Sequence, residues 1–183
     1  MNDTLMVIGE ALIDFIPTEQ GMALKDVCSF TKHCGGAPIN IAAATAKLGA
    51  HSKVLTQVGA DAFGDFILET LSLCQVDITA VKRTKQYPTA LAFVALDEKG
   101  NRDFTFYRDP CADLHLSAED ITATMFQDCG ILHFCSVDLV DSPMKQAHLK
   151  AIQLAKEQGA IISFDPNVRL PLWSSKEDCK NTI

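Results

Sequence analysis

The 183-residue sequence has no apolar run approaching the ~18 residues of a membrane span, and its opening Met-Asn-Asp-Thr carries no basic leader. A spanning or secreted class is therefore not expected, and the cytoplasm is the expected compartment. Basic residues are scarce: 16 Lys and Arg stand against 23 Asp and Glu, a net charge of −7. Nucleic-acid binding needs a basic face to neutralise phosphates, so it is excluded as an expectation. No C-x-x-C pair occurs among the seven cysteines, so they read as buried reduced thiols and not as a zinc site or a disulfide framework. The histidines, at 33, 51, 115, 133 and 148, form no H-x-x-x-H pair, and none is assigned to a metal. The chain also lacks G-x-G-x-x-G, G-x-x-x-x-G-K-[ST], G-x-S-x-G and H-R-D, which removes the commonest nucleotide, hydrolase and protein-kinase signatures.

What is present is an ordinary core-forming composition, 48% hydrophobic and 21% charged, at the length of one domain or a domain with a small appendage. Apolar runs at Leu5–Gly9, Lys53–Val58, Gly130–Cys135 and Ile161–Asp165 predict strands. Helices are predicted over 38–48, over Ala62–Cys74, over 118–126 behind a Ser117/Asp120 capping box, and from Ser142-Pro143 to Gly159. This alternation implies parallel βαβ units with helices on both faces: an α/β, three-layer Rossmann-like core. Two stretches break the rhythm. Residues 19–33 have no helical period, and Leu91–Leu96 with Arg102–Arg108 form a hairpin around 97–101. Inserted segments at about 16–33 and 86–108 are thus expected to form a small antiparallel β lid on a single domain spanning 1–183.

The densest chemical signal is Gly35-Gly36-Ala-Pro38-Ile-Asn40, followed by an alanine-rich helix that Gly49 closes. Glycines let backbone approach a ligand, Pro38 suits a first helical turn, and that turn offers unpaired N–H groups. Asn40 adds a donor and an acceptor. A neutral, hydroxyl-rich ligand and a tight turn before a packing helix both account for the segment. Asp14, between two apolar pairs past the first strand, fits a carboxylate accepting from sugar hydroxyls or a local cap. In Phe104-Thr-Phe106-Tyr107-Arg108, the arginine can clamp a ligand beside aromatic walls, or pair with Asp109 or Asp113 on the surface. Asp165-Pro-Asn167-Val-Arg169 leaves a strand at the carboxyl edge, where open parallel sheets bind ligands. Asp61 reads as a helix cap more readily than as an acid in an anion-holding turn, and Trp173 as core. Ser174-Ser175 begins a further capped helix that reaches Ile183 with no closing signal.

Taken together in order, Gly9-Glu10-Ala-Leu-Ile-Asp14, Gly35-Gly36-x-x-x-Asn40, Val58-Gly59-x-Asp61-x-x-Gly64, Phe106-Tyr107-Arg108 with Ala112-Asp113, and Asp165-x-Asn167-x-Arg169 before Leu172-Trp173 resemble the ribokinase-like (PfkB) carbohydrate kinases, bacterial fructokinases above all. The resemblance implies ATP-dependent phosphorylation of a sugar hydroxyl with magnesium. It implies that Asp14, Gly35, Gly36 and Asn40 hold the sugar, with Phe104 and Arg108 approaching from the lid. Asp165, Asn167 and Arg169 would lie near the phosphoryl-transfer path. The family's later Asn-x-x-Glu and Gly-Ala-Gly-Asp motifs do not occur here. The chain is therefore expected to be the N-terminal, sugar-binding part of a kinase, with the C-terminal part of the fold missing. No catalytic residue is assigned within it: the base is expected beyond Ile183, and most of the ATP site would lie elsewhere. A 2-keto-3-deoxygluconate kinase and a non-catalytic sugar- or partner-binding fragment stand as alternatives. Apolar residues on both faces of the inserted strands point to a homodimer through the lid.

Overall fold

The computed structural model describes residues 3–19, 21–96 and 102–183. Its frame is a five-stranded parallel sheet in the order β5-β4-β1-β8-β9. The strands are β1 (Thr4–Ile8), β4 (Ser52–Gly59), β5 (Val81–Thr84), β8 (Cys129–Cys135) and β9 (Ile161–Asp165). β1 shows why the sheet is covered on both sides. Met6 and Ile8 join one apolar cluster with Leu132, Phe126 and the inner face of α3 (Pro143–Glu157). Val7 joins the other, with Ile39 and Ala42 of α1 (Ala37–Lys47) and Ile67 and Leu71 of α2 (Ala62–Leu73). Alternate side chains of one strand thus feed two cores, and the three-layer α/β expectation is borne out. A short α4 (Lys176–Thr182) follows Trp173, which is buried in the α3-side core as expected. β5 and β9 are the edge strands, and Ile161 of β9 is 67% exposed.

A second sheet stands beyond the carboxyl edge, ordered β3-β2-β6-β7. It comprises β2 (Leu12–Pro17), β3 (Phe30–Gly35), β6 (Ala90–Leu96) and β7 (Arg102–Tyr107). The antiparallel expectation needs correction here. β2/β3 and β6/β7 are antiparallel, but the central pair β2/β6 is parallel. β2 and β6 are the outward continuations of β1 and β5, which run parallel within the core, so they leave the same edge in the same direction. The predicted hairpin turn at 97–101 lies outside the described residues.

The helix expected over 118–126 is also corrected. Two 3-10 turns, Ala118–Asp120 and Ala123–Phe126, replace it. The capping box does form, with Asp120 accepting from both the backbone N–H and the hydroxyl of Ser117 at 3.0 Å. The extended, β-branched pair Ile121-Thr122 then breaks the helix, which lets both Ile121 and Phe126 reach the core. β5 was not anticipated, because Val-Lys-Arg-Thr offers only one strongly apolar side chain.

Candidate functional site

Between the two sheets lies a cavity of about 270 Å³, the scale of a small metabolite. The lid provides its apolar wall. Leu12, Asp14 and Ile16 alternate along β2 and so share one face, and Val94 and Phe106 line the cavity from β6 and β7. In register, Asp14 pairs with Ala92 and Ala92 with Phe106, so the carboxylate stands two strands from the aromatic ring with only a methyl between them. Glu10, Asn40, Asn167 and Arg169 complete the polar lining.

The turn before α1 is shaped around Asp14. A side chain at Gly35 would place its Cβ 2.7 Å from the Asp14 Cγ, so only glycine lets the carboxylate lie there. Gly36 has φ = 115°, the left-handed region, and a Cβ there would press against the Glu10 carbonyl. Gly36 and Ala37 line the cavity, Asn40 reaches it from the first turn of α1, and Gly35 supports it from behind. On the other side, Asn167 has φ = 37°, and its N–H donates to Asp165 Oδ1 at 3.0 Å. Asparagine is among the few non-glycine residues that adopt this left-handed conformation readily. Asp165 shapes the turn and is not itself in the lining, whereas Asn167 and Arg169 are. Asp61 caps α2, accepting from the N–H groups of Phe63 at 3.1 Å, Gly64 at 2.8 Å and Thr89 at 2.8 Å.

Arg108 is placed differently from its neighbours. It borders an adjoining cavity of about 800 Å³ that shares Phe106 and Val137 with the first. Its guanidinium is buried and donates to Asp113 Oδ2 at 2.7 Å and Asp138 Oδ1 at 2.6 Å. One of its two expected partners, Asp113, is therefore correct; Asp138 takes the place of Asp109, and the arginine is not on the surface. Phe104 pairs with Val94 across β6 and β7, and its side chain lies outside the described set. Ile183, the residue beyond which the base is expected, is the C-cap of α4, its N–H donating to the Cys179 carbonyl at 3.1 Å. It is exposed and lines neither cavity, so Ile183 marks a position in the chain and is not itself a site residue.

Two acids went unassigned in the sequence, Glu10 in the cavity lining and Asp138 buried behind it. Glu10 is 4% exposed and accepts from the Ala37 N–H through Oε1 at 2.8 Å. Burial and the charge of Asp138 raise its pKa to about 8, against the opposing pull of Arg108. Asp138 is also raised, to about 6, by burial, with Arg108 pulling it down and Asp113 pushing it up. The available signal was an acid embedded in Val-Ile-Gly-Glu10-Ala-Leu-Ile, where a solvated carboxylate does not belong. Among the described residues, no group of three His, Cys, Asp or Glu could hold a metal ion.

A parallel α/β core, a second sheet over its carboxyl edge and a polar cavity between them define the ribokinase-like architecture. The sequence pattern of the pfkB family carbohydrate kinases matches residues 2–183, and the chain belongs to that family. The chain is 40% identical over 179 residues to a potato (Solanum tuberosum) fructokinase, covering 98% of this chain and 56% of that protein. The fructokinase structure from Xylella fastidiosa superposes with a TM-score of 0.89 at 36% identity, over 100% of this chain and 56% of that one. A sugar kinase from Pyrococcus horikoshii in complex with ATP gives 0.90 at 35% identity, over 97% and 58%. The chain thus spans little more than half the length of these relatives. Among the described residues, no helix is long and apolar enough to cross a membrane.

Proposed function

We propose that this chain is the sugar-binding portion of an ATP-dependent fructokinase that phosphorylates a hydroxyl of a neutral ketohexose. The carrying observation is the cavity in which Asp14 and Asn40 meet Asn167 and Arg169. A carboxylate and an amide suit hydroxyl groups. Arginine and asparagine at the strand exit suit the phosphoryl group that a nucleotide would bring. ATP would supply that group and magnesium would balance its charge, the metal being held by the phosphates and by residues beyond the described ones. The catalytic base belongs to the same remainder, beyond Ile183. Arg108 favours a neutral sugar over 2-keto-3-deoxygluconate, because Asp113 and Asp138 already occupy its guanidinium.

The 183-residue chain binds sugar without turning it over, since phosphoryl transfer depends on complete positioning of both substrates. The protein works in the cytoplasm as a homodimer. Phe15, Phe30, Phe93 and Tyr107 cluster on the lid face opposite Asp14, with Phe15 and Phe93 stacked at 4.9 Å and Tyr107 63% exposed. α2 covers part of that face, Phe63 lying edge-on to Phe15 at 5.8 Å; a second lid covering the remainder accounts for the exposed Tyr107, and sedimentation at micromolar concentration as a monomer would count against the dimer.

Calorimetric titration with D-fructose, 2-keto-3-deoxygluconate and a non-sugar polyol tests the substrate class. Fructose should bind best. Asp14→Ala should weaken it by about 1.5–3 kcal/mol, the scale of a hydrogen bond to a charged group, and Asn40→Ala by less. Unchanged affinity in both variants would place the sugar elsewhere.

A further inference from the structure

Glu10 is the buried group whose chemistry the cavity leaves unfinished. It lines the same space as Asp14 and Asn40, yet it is almost wholly removed from water. Oε1 is occupied by the Ala37 N–H, while Oε2 is buried with no hydrogen-bond partner among the described residues. An orphaned carboxyl oxygen in a closed wall is costly unless a ligand or a proton satisfies it.

The surrounding charges favour the proton. From β7 and the residues that follow it come Arg108 and Asp113, and from the segment after β8 comes Asp138. Cys135 lies at the end of β8, within electrostatic reach of Glu10. Asp14 and Arg169 line the cavity from β2 and from the loop after β9. Arg108 is hydrogen-bonded to two carboxylates already, so one buried cation serves three buried acids, Asp113, Asp138 and Glu10, while Arg169 is only half-buried. Ionising all three would leave two uncompensated negative charges away from water, a state proteins avoid by holding protons.

We propose that Glu10 is a sugar-binding residue carried as the neutral carboxylic acid, and that its O–H donates a hydrogen bond to an oxygen of the bound sugar. This rests on the sugar-kinase reading above and adds a donor to the pocket that Asp14 cannot supply. Acceptor and donor then line one cavity at Asp14 and Glu10, a pairing that suits the several hydroxyls of a polyol. An anionic sugar gains no advantage from this arrangement over a neutral one, because it would meet the negative charge of Asp14 in the same cavity.

Two measurements test the proposal. In carbon-13 spectra of glutamate-labelled protein, the Glu10 carboxyl, assigned by its loss in Glu10→Gln, should titrate well above the ordinary carboxylate range, near pH 8. Titration in the ordinary range would overturn the proposal whatever the ligand. Secondly, D-fructose affinity of the wild-type chain should fall at least fivefold between pH 6.5 and 9.5. Glu10→Gln, which keeps a donor that cannot ionise, should stay within threefold across that span, and Glu10→Ala should bind at least tenfold more weakly than Glu10→Gln at every pH. Fructose binding that is abolished by Asp14→Ala yet independent of pH in the wild type would sink the role of Glu10 and leave the sugar site standing. No response of fructose binding to Asp14→Ala would instead remove the site itself.

Discussion

Replacing Arg108 with methionine should be among the most damaging single changes to this fold. The substitution roughly preserves the aliphatic stem but strips the cation from Asp113 and Asp138, both with fully buried side chains. Removing one partner of a buried ion pair costs about 3–5 kcal/mol. Protonation sets an independent ceiling on that cost for each acid, and Asp138, already raised to about 6 by burial, bears most of its share in the native fold. Holding one ordinary carboxylate neutral at pH 7 costs about 4 kcal/mol, from 1.36 kcal/mol for each of the roughly three pH units above a pKa near 3.9. At pH 5 the same step costs about 1.5 kcal/mol. Arg108→Met should therefore lose about 4 kcal/mol at pH 7, and recover roughly 2–3 kcal/mol of it at pH 5. The sign follows from linkage: uncompensated buried carboxylates have raised pKa values, so their folded form is stabilised by acid and loses stability as pH rises. Urea unfolding followed by circular dichroism at the two pH values reads both numbers. Arg108→Met with Asp113→Asn and Asp138→Asn should regain more than half of the loss at pH 7. A deficit under 1 kcal/mol at pH 7, or one that does not shrink with acid, would show that the pair of ion pairs does not hold the lid to the core.

Gly35→Ala should displace the Asp14 carboxylate, lowering fructose affinity at least tenfold in calorimetry while costing about 1–3 kcal/mol of stability by overpacking. Asp61→Ala removes the cap of α2 together with the bonds to Thr89, and should lower stability by about 2 kcal/mol in urea titration, the upper end for a lost cap. His148 is fully buried, and burial lowers its pKa from 6.5 to about 4, partly offset by its contact with the Met144 carbonyl. A depressed folded pKa means stability that is present above pH 6.5 and lost as pH falls toward 4. His148→Gln should flatten that loss by up to about 3 kcal/mol between pH 7 and 4.

The elements most legible in the sequence were those fixed by neighbours in the chain. Ser142 and Pro143 mark the start of α3 within one turn, and the apolar stretches read as β1, β8 and β9 match those strands to within one residue. Asp14, Asn40, Asn167 and Arg169 also came from local patterns, and the structure gathers all four around one cavity. What stayed hidden depends on contacts between distant segments. Nothing near Arg108 says that Asp138, thirty residues on, will take its second hydrogen bond. Glu10 looked like part of a strand exit until Ala37 and Asp138 closed around it. The parallel pairing of β2 with β6 likewise follows from where the core strands end, which no window of sequence contains.

The central position of β1 also imposes a schedule on synthesis. Leu5 pairs on one side with Ser52 and on the other with Ile131. The cluster built by α1 and α2 draws on residues 5–91, so that half can consolidate early. Met6 and Ile8 need partners from 116 onward, chiefly Phe126, Leu132 and α3. At 5–20 residues per second, the interval between Leu5 and Ile131 corresponds to about 6–25 s of elongation. Throughout that time one face of the nascent sheet is greasy and bare. A chaperone binding while the chain is still on the ribosome would find its target there, and slowing translation before residue 126 should lengthen its stay.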